Sequence, residues 1–344
     1  MVRLFPFSTV VAAFLAAACA KGPQFPLETI RLVPRYEAFA YRDEAFYPLS
    51  EKAHIFLVAG GQDYASFAEE IIRQKRHWMD RGALAEEISC YYAIPSHANF
   101  RRDAIQFAAL AAELRDCYAA SAERIYRHLR LVLAKSPPDL YLYVTGHGSP
   151  PVSRKIEDAL AQGDGNKAAS ERSWLTRYPV LDQFILNTDV DPSGEVNYQR
   201  ERVQVPRFAA AWRPEDMFLT PTRLTETLDM APKTRKHVVL QGCYTGGFID
   251  PHQGAPHRGL KTARNISVIT ASHYDRPSFG CSSGIDQTFF GQAYNSVLQK
   301  HPSLPQDLDW SKVYEETEAE VGRLEVRLRN ERPSKPQYFS NLAF

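Results

Sequence analysis

The 344-residue chain has almost no net charge: 41 Lys and Arg stand against 40 Asp and Glu, leaving +1. So even a balance gives no footprint for a nucleic-acid partner or a generally anionic ligand. Internal repeats and low-complexity segments are missing too. The sequence has no Gly-x-Gly-x-x-Gly fingerprint, no Walker loop and no clustered Cys/His spacing, so no nucleotide, metal or other cofactor is expected. It also lacks an apolar run long enough to span a membrane, since residues 4–18 are too few and too lightly flanked. Hydrophobic content of 44% and charged content of 24% are ordinary globular values. They fit one large domain, or one domain with a sizeable insertion.

The apolar run near the start reads as an export signal covering residues 1–20. It ends Leu15-Ala16-Ala17-Ala18-Cys19, which looks like a lipoprotein cleavage box with Cys19 as the lipidated residue. Cleavage after Ala20 by the ordinary signal peptidase is the alternative. The chain is therefore expected in the cell envelope, held through an N-terminal lipid anchor in an outer membrane facing the periplasm, or soluble in the periplasm. Five cysteines minus Cys19 leave Cys90, Cys117, Cys243 and Cys281. Outside the reducing cytosol thiols can pair. If Cys243 must stay reduced, Cys90–Cys117 is the most economical disulfide.

Two stretches carry chemistry. Residues 238–240 form a short apolar run that reads as a buried strand, and it breaks off in Gln241-Gly242-Cys243-Tyr244-Thr245-Gly246-Gly247. A cysteine at the C-terminal end of a parallel strand sits where open α/β sheets place their sites. Glycines on both sides are expected to turn the backbone and leave room for a substrate chain near the sulfur. By itself such a thiol is as readily a small core residue. The second stretch, 139–145, is also strand-like and ends in Gly146-His147-Gly148-Ser149. If the two strands are neighbours, a nucleophile and an acid/base partner face one cleft.

With those residues in view, the chain resembles the legumain-like cysteine peptidases of the caspase clan, the bacterial branch in particular. The resemblance rests on Tyr-Val-Thr-Gly-His-Gly-Ser at 143–149, Gly-Cys-Tyr-Thr-Gly-Gly-Phe-Ile at 242–249, and Ile-Thr-Ala-Ser-His-Tyr-Asp-Arg-Pro-Ser-Phe-Gly-Cys at 269–281. Thr-Phe-Phe-Gly-Gln-Ala at 288–293 and Pro-Ser-Lys-Pro-Gln at 333–337 add to it. It implies a caspase/legumain-like α/β fold: a doubly wound, mainly parallel sheet with helices on both faces. It also implies a Cys243–His147 dyad acting on a peptide or protein substrate, with the backbone N–H groups of Gly148 and Cys243 as oxyanion hole. Asp139, Ser66 and Asp275 are candidate orienters of the histidine. Asparagine specificity does not carry over, because Ala68 stands where the family has an arginine and Gln241 where it has an acid. Gln241, Arg276, Ser278, Ser283 and Asp286 are the pocket candidates. A transpeptidase using the same dyad, or a non-catalytic binding module on the same fold, are the alternatives.

Taken in order, residues 21–50 read as a tether and lead-in, and 51–344 as one peptidase domain interrupted at about 150–215. Strands are expected at 54–59, 88–94, 139–145, the Cys243 run and 266–270. Helices are expected from 67 to about 80, over 99–135 as one or two pieces broken near Cys117, and at 220–230, 287–300 and 309–329. In the last of these Trp310, Val313, Tyr314, Thr317, Val321, Leu324 and Leu328 line one face, a core stripe. Between the catalytic strands, 162–166 reads as a flexible loop. Residues 189–195 read as a turn in a hairpin joining 184–186 to 196–205; they resemble the start of a calcium loop, but Arg200 stands where its closing glutamate belongs. His54, His97, His237 and His273 are expected as surface or core residues, and the Pro-rich tail as a surface run.

Overall fold

A computed structural model of the chain describes residues 42, 44, 46–61, 65–93, 104–188, 195–198, 201–204, 217–250, 257–281, 285–328 and 331–342. The expected signal with Cys19, most of the lead-in, the 189–194 turn, Arg200, His97 and Ser283 lie outside these residues.

The first half alternates strand and helix: β1 (Ile55–Ala59), α1 (Ala65–Asp80), β2 (Ile88–Tyr92), α2 (Ala104–Glu113), β3 (Tyr118–Ala119), α3 (Ala122–Leu133) and β4 (Asp139–Thr145). The connection to the next strand of the main sheet holds β5 (Gly148–Ser149), α4 (Val152–Ala161), α5 (Gly165–Arg177), β6 (Ile185–Asn187), β7 (Glu195–Tyr198), β8 (Glu201–Gln204), β9 (Phe218–Leu219) and α6 (Pro221–Asp229). Then come β10 (Arg235–Gln241), β11 (Ile266–Thr270), α7 (Phe289–Lys300), α8 (Trp310–Glu325) and β12 (Gln337–Ser340).

Among the described residues the main sheet has seven strands, in the order β12-β11-β10-β4-β1-β2-β3. Every pairing is parallel except β11 with β12. Side chains of a strand alternate between faces. Ile55, Leu57, Tyr141, Tyr143 and Val239 therefore pack on α1, α7 and α8, while Phe56, Val58, Leu140, Leu142 and Val238 pack on α3 and α6. Burial on both faces is why these strands read as near-continuous apolar runs, and it makes the expected doubly wound α/β sandwich. The α8 stripe is seated as expected: Trp310, Val313, Thr317 and Val321 are buried.

Several expectations change. The stretch 99–135 is two helices with β3 between them, and Cys90 of β2 is disulfide-bonded to Cys117 beside β3, with Cα atoms 4.7 Å apart. Residues 162–166 are not a loose loop but the turn of an α4–α5 helical hairpin, where Asp164 Oδ1 accepts from the Lys167 amide at 2.9 Å as an N-cap. The hairpin near 200 is formed by β7 with β8, whereas β6 joins β5 and β9 in a separate small antiparallel sheet. The tail is not a surface run either, because β12 covers the outer edge of β11. An uncovered strand edge leaves N–H and C=O groups open to other chains, and Gln337–Ser340 satisfies them.

Candidate active site

Register decides the geometry. Strands β4 and β10 pair in parallel with Thr145 opposite Gln241. Two residues further on, His147 and Cys243 leave adjacent strands at one edge, both partly exposed. The ladder runs one step past the strands, with the Gly146 amide donating to the Gln241 carbonyl at 3.2 Å. Beyond it the two turns touch: a Cβ on Gly148 would lie 1.8 Å from the Cys243 carbonyl oxygen, so only glycine fits at that crossing. The residue after the thiol is strained. Tyr244 holds φ 61°, ψ 14°, a left-handed conformation rare for a bulky side chain, and its amide donates to the Arg276 carbonyl at 2.9 Å.

The third motif wraps this turn. The Ser278 amide donates to Cys243 Sγ at 3.3 Å, and the Ser278 carbonyl lies 3.5 Å from the same sulfur. Ser272 Oγ donates to the Gly242 carbonyl at 3.0 Å and lies 3.2 Å from the Thr245 amide. The glycines at 246 and 247 serve the protein rather than a substrate. A Cβ on Gly246 would strike the 272–274 backbone, and one on Gly247 the Phe184 ring.

His147 is held from α1, where Phe67 meets its ring edge-on at 5.2 Å. Of the candidate orienters, Asp139 is excluded by distance. It lies eight residues before His147 on an extended strand, about 26 Å away at ~3.3 Å per residue, and pairs with Arg235 at 2.7 Å. Asp275 is engaged by His273 and accepts from Arg332 at 3.0 Å. Burial opposes its charge, but these hydrogen bonds and the cations outweigh that and hold its carboxyl at about 2. Ser66 is buried on α1 beside Phe67. His237 is a core residue: it hydrogen-bonds Ser267 at 2.9 Å and stacks on Trp310, and burial, helped by Arg235, pushes it down to about 3.

The pocket candidates separate. Ser278 reaches the thiol through its backbone. Arg276 donates to the Pro333 carbonyl at 3.0 Å and sits 3.5 Å from Asp275. Asp286 is exposed. Gln241 is buried, and its Oε1 lies 2.7 Å from Thr145 Oγ1 and 3.2 Å from the Gly146 amide, underneath the site.

That contact belongs to a network that sequence reading missed. Glu70 of α1 is fully buried. Its Oε2 accepts from Tyr143 at 2.8 Å and lies 2.6 Å from Thr145 Oγ1, and its Oε1 accepts from the Thr288 amide at 2.7 Å. Thr145 has one hydroxyl proton for two oxygen neighbours. The Gly146 amide also points at the Gln241 oxygen, so that oxygen and the Glu70 carboxyl share the Thr145 hydroxyl. Burial pushes the Glu70 carboxyl up, although its hydrogen-bond donors oppose it. Glu70 thus ties α1, β4, β10 and the cap of α7 directly beneath His147 and Cys243. No periodicity announces it, because an acid among Phe67, Ile71 and Ile72 reads as a solvent-facing break.

A thiol and an imidazole thus leave neighbouring parallel strands at one sheet edge, beside a tight glycine crossing. The Peptidase C13 family, which is the legumain family of the caspase clan, has a model that matches residues 188–333, and the legumain-like resemblance of the motifs stands. The match contains Cys243 and the 269–281 motif, while His147 lies outside it. It supports a cysteine peptidase with protein or peptide substrates. Among solved structures, caspase-1 from Spodoptera frugiperda is similar at 10% identity and a TM-score of 0.42, over 90% of this chain and 93% of that one. No curated protein matches the chain.

Proposed function

We propose that the chain is an exported, lipid-anchored cysteine endopeptidase of the cell envelope. The observation that carries the catalytic part is the β4–β10 register, which brings His147 and Cys243 out side by side. In this reading Cys243 gives its thiol proton to His147 and its sulfur attacks the peptide carbonyl carbon, while the carbonyl oxygen takes the negative charge. The N–H groups of Gly148 and Cys243 receive that charge, each such donor being worth about 3 kcal/mol in the transition state. His147 protonates the departing amine as the C–N bond breaks, leaving an acyl-enzyme. It then takes a proton from water as the water oxygen attacks the thioester carbon; the C–S bond breaks and His147 returns that proton to the sulfur, restoring the thiol. The Cys90–Cys117 disulfide supports an oxidising compartment, where a lipidated Cys19 would hold the chain at the membrane.

The test is a diverse peptide library incubated with the full chain, Cys243→Ala and His147→Ala. Cleavage by the wild type and its loss in both variants is the expected result, and the residue preceding each cut reports the pocket around Arg276 and Asp286. Equal cleavage by wild type and Cys243→Ala overturns the reading. Absence of cleavage together with no labelling of Cys243 by a thiol-reactive peptide overturns it as well. Cys19→Ala should move the protein from the membrane to the soluble fraction.

A further inference from the structure

Helix α4 begins five residues after His147 and stands beside the turn that carries Cys243. In its first turn the Ser153 amide donates to Asp182 Oδ1 at 3.3 Å, and just beyond Asp182 the Phe184 ring covers Gly247 of the thiol turn. The next residue of the helix, Arg154, is half-buried, and its Nη1 donates to the Tyr274 carbonyl at 3.3 Å. That carbonyl belongs to the loop packed on the thiol turn, where the Gly246 amide donates to the Ser272 carbonyl at 2.8 Å and the Tyr244 amide to the Arg276 carbonyl. Burial and the neighbouring Cys243 push the Tyr244 phenol up, and Arg154 pulls against them, so the guanidinium and the thiol both act on one side chain.

The two flanks of the 273–276 loop are held differently. On the flank of the C-terminal tail, the His273 amide donates to the Ser334 carbonyl at 2.8 Å, Arg276 reaches the Pro333 carbonyl, and Asp275 pairs with both Arg276 and Arg332. On the flank of α4, Arg154 makes its single long bond to a carbonyl. Asp158, one turn along the helix, is exposed and does not pair with it. Of the three arginines that reach this loop, Arg154 is thus the one with no acidic partner among the described residues. A guanidinium has five N–H donors and keeps its charge at any working pH. Half-buried, that charge is screened less than one in open solvent.

We propose that Arg154 selects substrates with an acidic side chain near the scissile bond, in a subsite between α4 and the 273–276 loop. The inference rests on the peptidase reading above and gives it a substrate class. The substrate carboxylate takes the N–H groups that Arg154 leaves open, in a two-pronged geometry that a lysine cannot reproduce. The subsite is distinct from the pocket near Arg276, whose guanidinium is turned to the tail on the other flank.

The test is a pair of random peptide libraries with one fixed residue, Asp or Asn, moved through each position around the cut. For the full chain, the Asp series should be cleaved faster than the Asn series at one position other than the one preceding the cut. In Arg154→Gln the Asp-to-Asn ratio of kcat/KM at that position should fall about tenfold, the size of one charge-assisted hydrogen bond. Arg154→Lys should recover part of the ratio, and Arg154→Glu should turn the preference towards Lys. A purely structural role for Arg154 would lower both series alike and leave the ratio unmoved. The same libraries, passed over immobilised Cys243→Ala, read binding without chemistry. Asp peptides should be retained over Asn peptides there, and Cys243→Ala/Arg154→Gln should treat the two alike. Retention that follows Arg154 with no cleavage by wild type sinks the peptidase reading and keeps the subsite. Cleavage that ignores Asp against Asn at every position beyond the one preceding the cut overturns the subsite and keeps the peptidase. The proposal also falls if the Asp preference survives in Arg154→Gln, or if Cys243→Ala retains Asp and Asn peptides equally.

Discussion

The Ser278 amide donates to the sulfur of Cys243 across a gap of 3.3 Å. A donor aimed at sulfur favours the ionised thiol, the form that attacks. Ser278→Ala keeps this N–H and should alkylate with iodoacetamide at pH 7 within about twofold of wild type, as a main-chain donor implies. Ser278→Pro removes the N–H and should slow the same reaction severalfold. Equal rates in both variants would mean that the thiol is set by something else.

The Glu70 network makes a second prediction. Glu70→Gln keeps the shape but offers one acceptor oxygen in place of two, so it should cost about 1 kcal/mol in urea unfolding. Glu70→Ala leaves Tyr143, Thr145 and the Thr288 amide short of a partner and opens a void, and should cost about 3–5 kcal/mol. A Glu70→Ala variant as stable as wild type would sink this account of the network.

Asp275 ties His273 and Arg332 together beside the thiol loop. Its carboxyl titrates at about 2 in the fold against an ordinary 3.8, so it stabilises the fold above pH 3.8. That contribution is lost as pH falls from 3.8 through 2. The full shift corresponds to roughly 2 kcal/mol, and exposure of the group to solvent reduces it to about 1 kcal/mol. In acid unfolding followed by circular dichroism, Asp275→Asn should be less stable than wild type at pH 6 and should converge on it near pH 2.

The Cys90–Cys117 bond closes a loop over a sequence separation of 27 residues. Restricting the unfolded chain to that extent is worth about 3–4 kcal/mol. Cys90→Ser/Cys117→Ser should lose about that much stability, and reductant should lower the melting temperature of wild type while leaving the variant unchanged.

How much of this was legible in the sequence follows from the range of the interactions. The parallel strands and the α8 stripe announced themselves because burial on a strand or helix face imposes a period on neighbouring residues. His147 and Cys243 were legible because glycines flank both and each ends an apolar run. Glu70 was not, since its partners Tyr143, Thr145 and Thr288 come from distant segments and leave no local pattern. Asp139 misled for the complementary reason: eight residues are few in sequence but span the whole strand in space. The tail misled because its prolines hid Gln337–Ser340, whose strand character is conferred only by β11.

The small sheet of β5, β6 and β9 has one more implication. Between β4 and β10 the chain departs at Thr188 and comes back at Met217, where the Thr188 amide donates to the Met217 carbonyl at 2.7 Å. Leu186 faces Leu219 and Asn187 faces Phe218 at the base of that excursion. A change in length between Thr188 and Met217 can therefore be absorbed above this clasp without disturbing the pairing of β4 with β10.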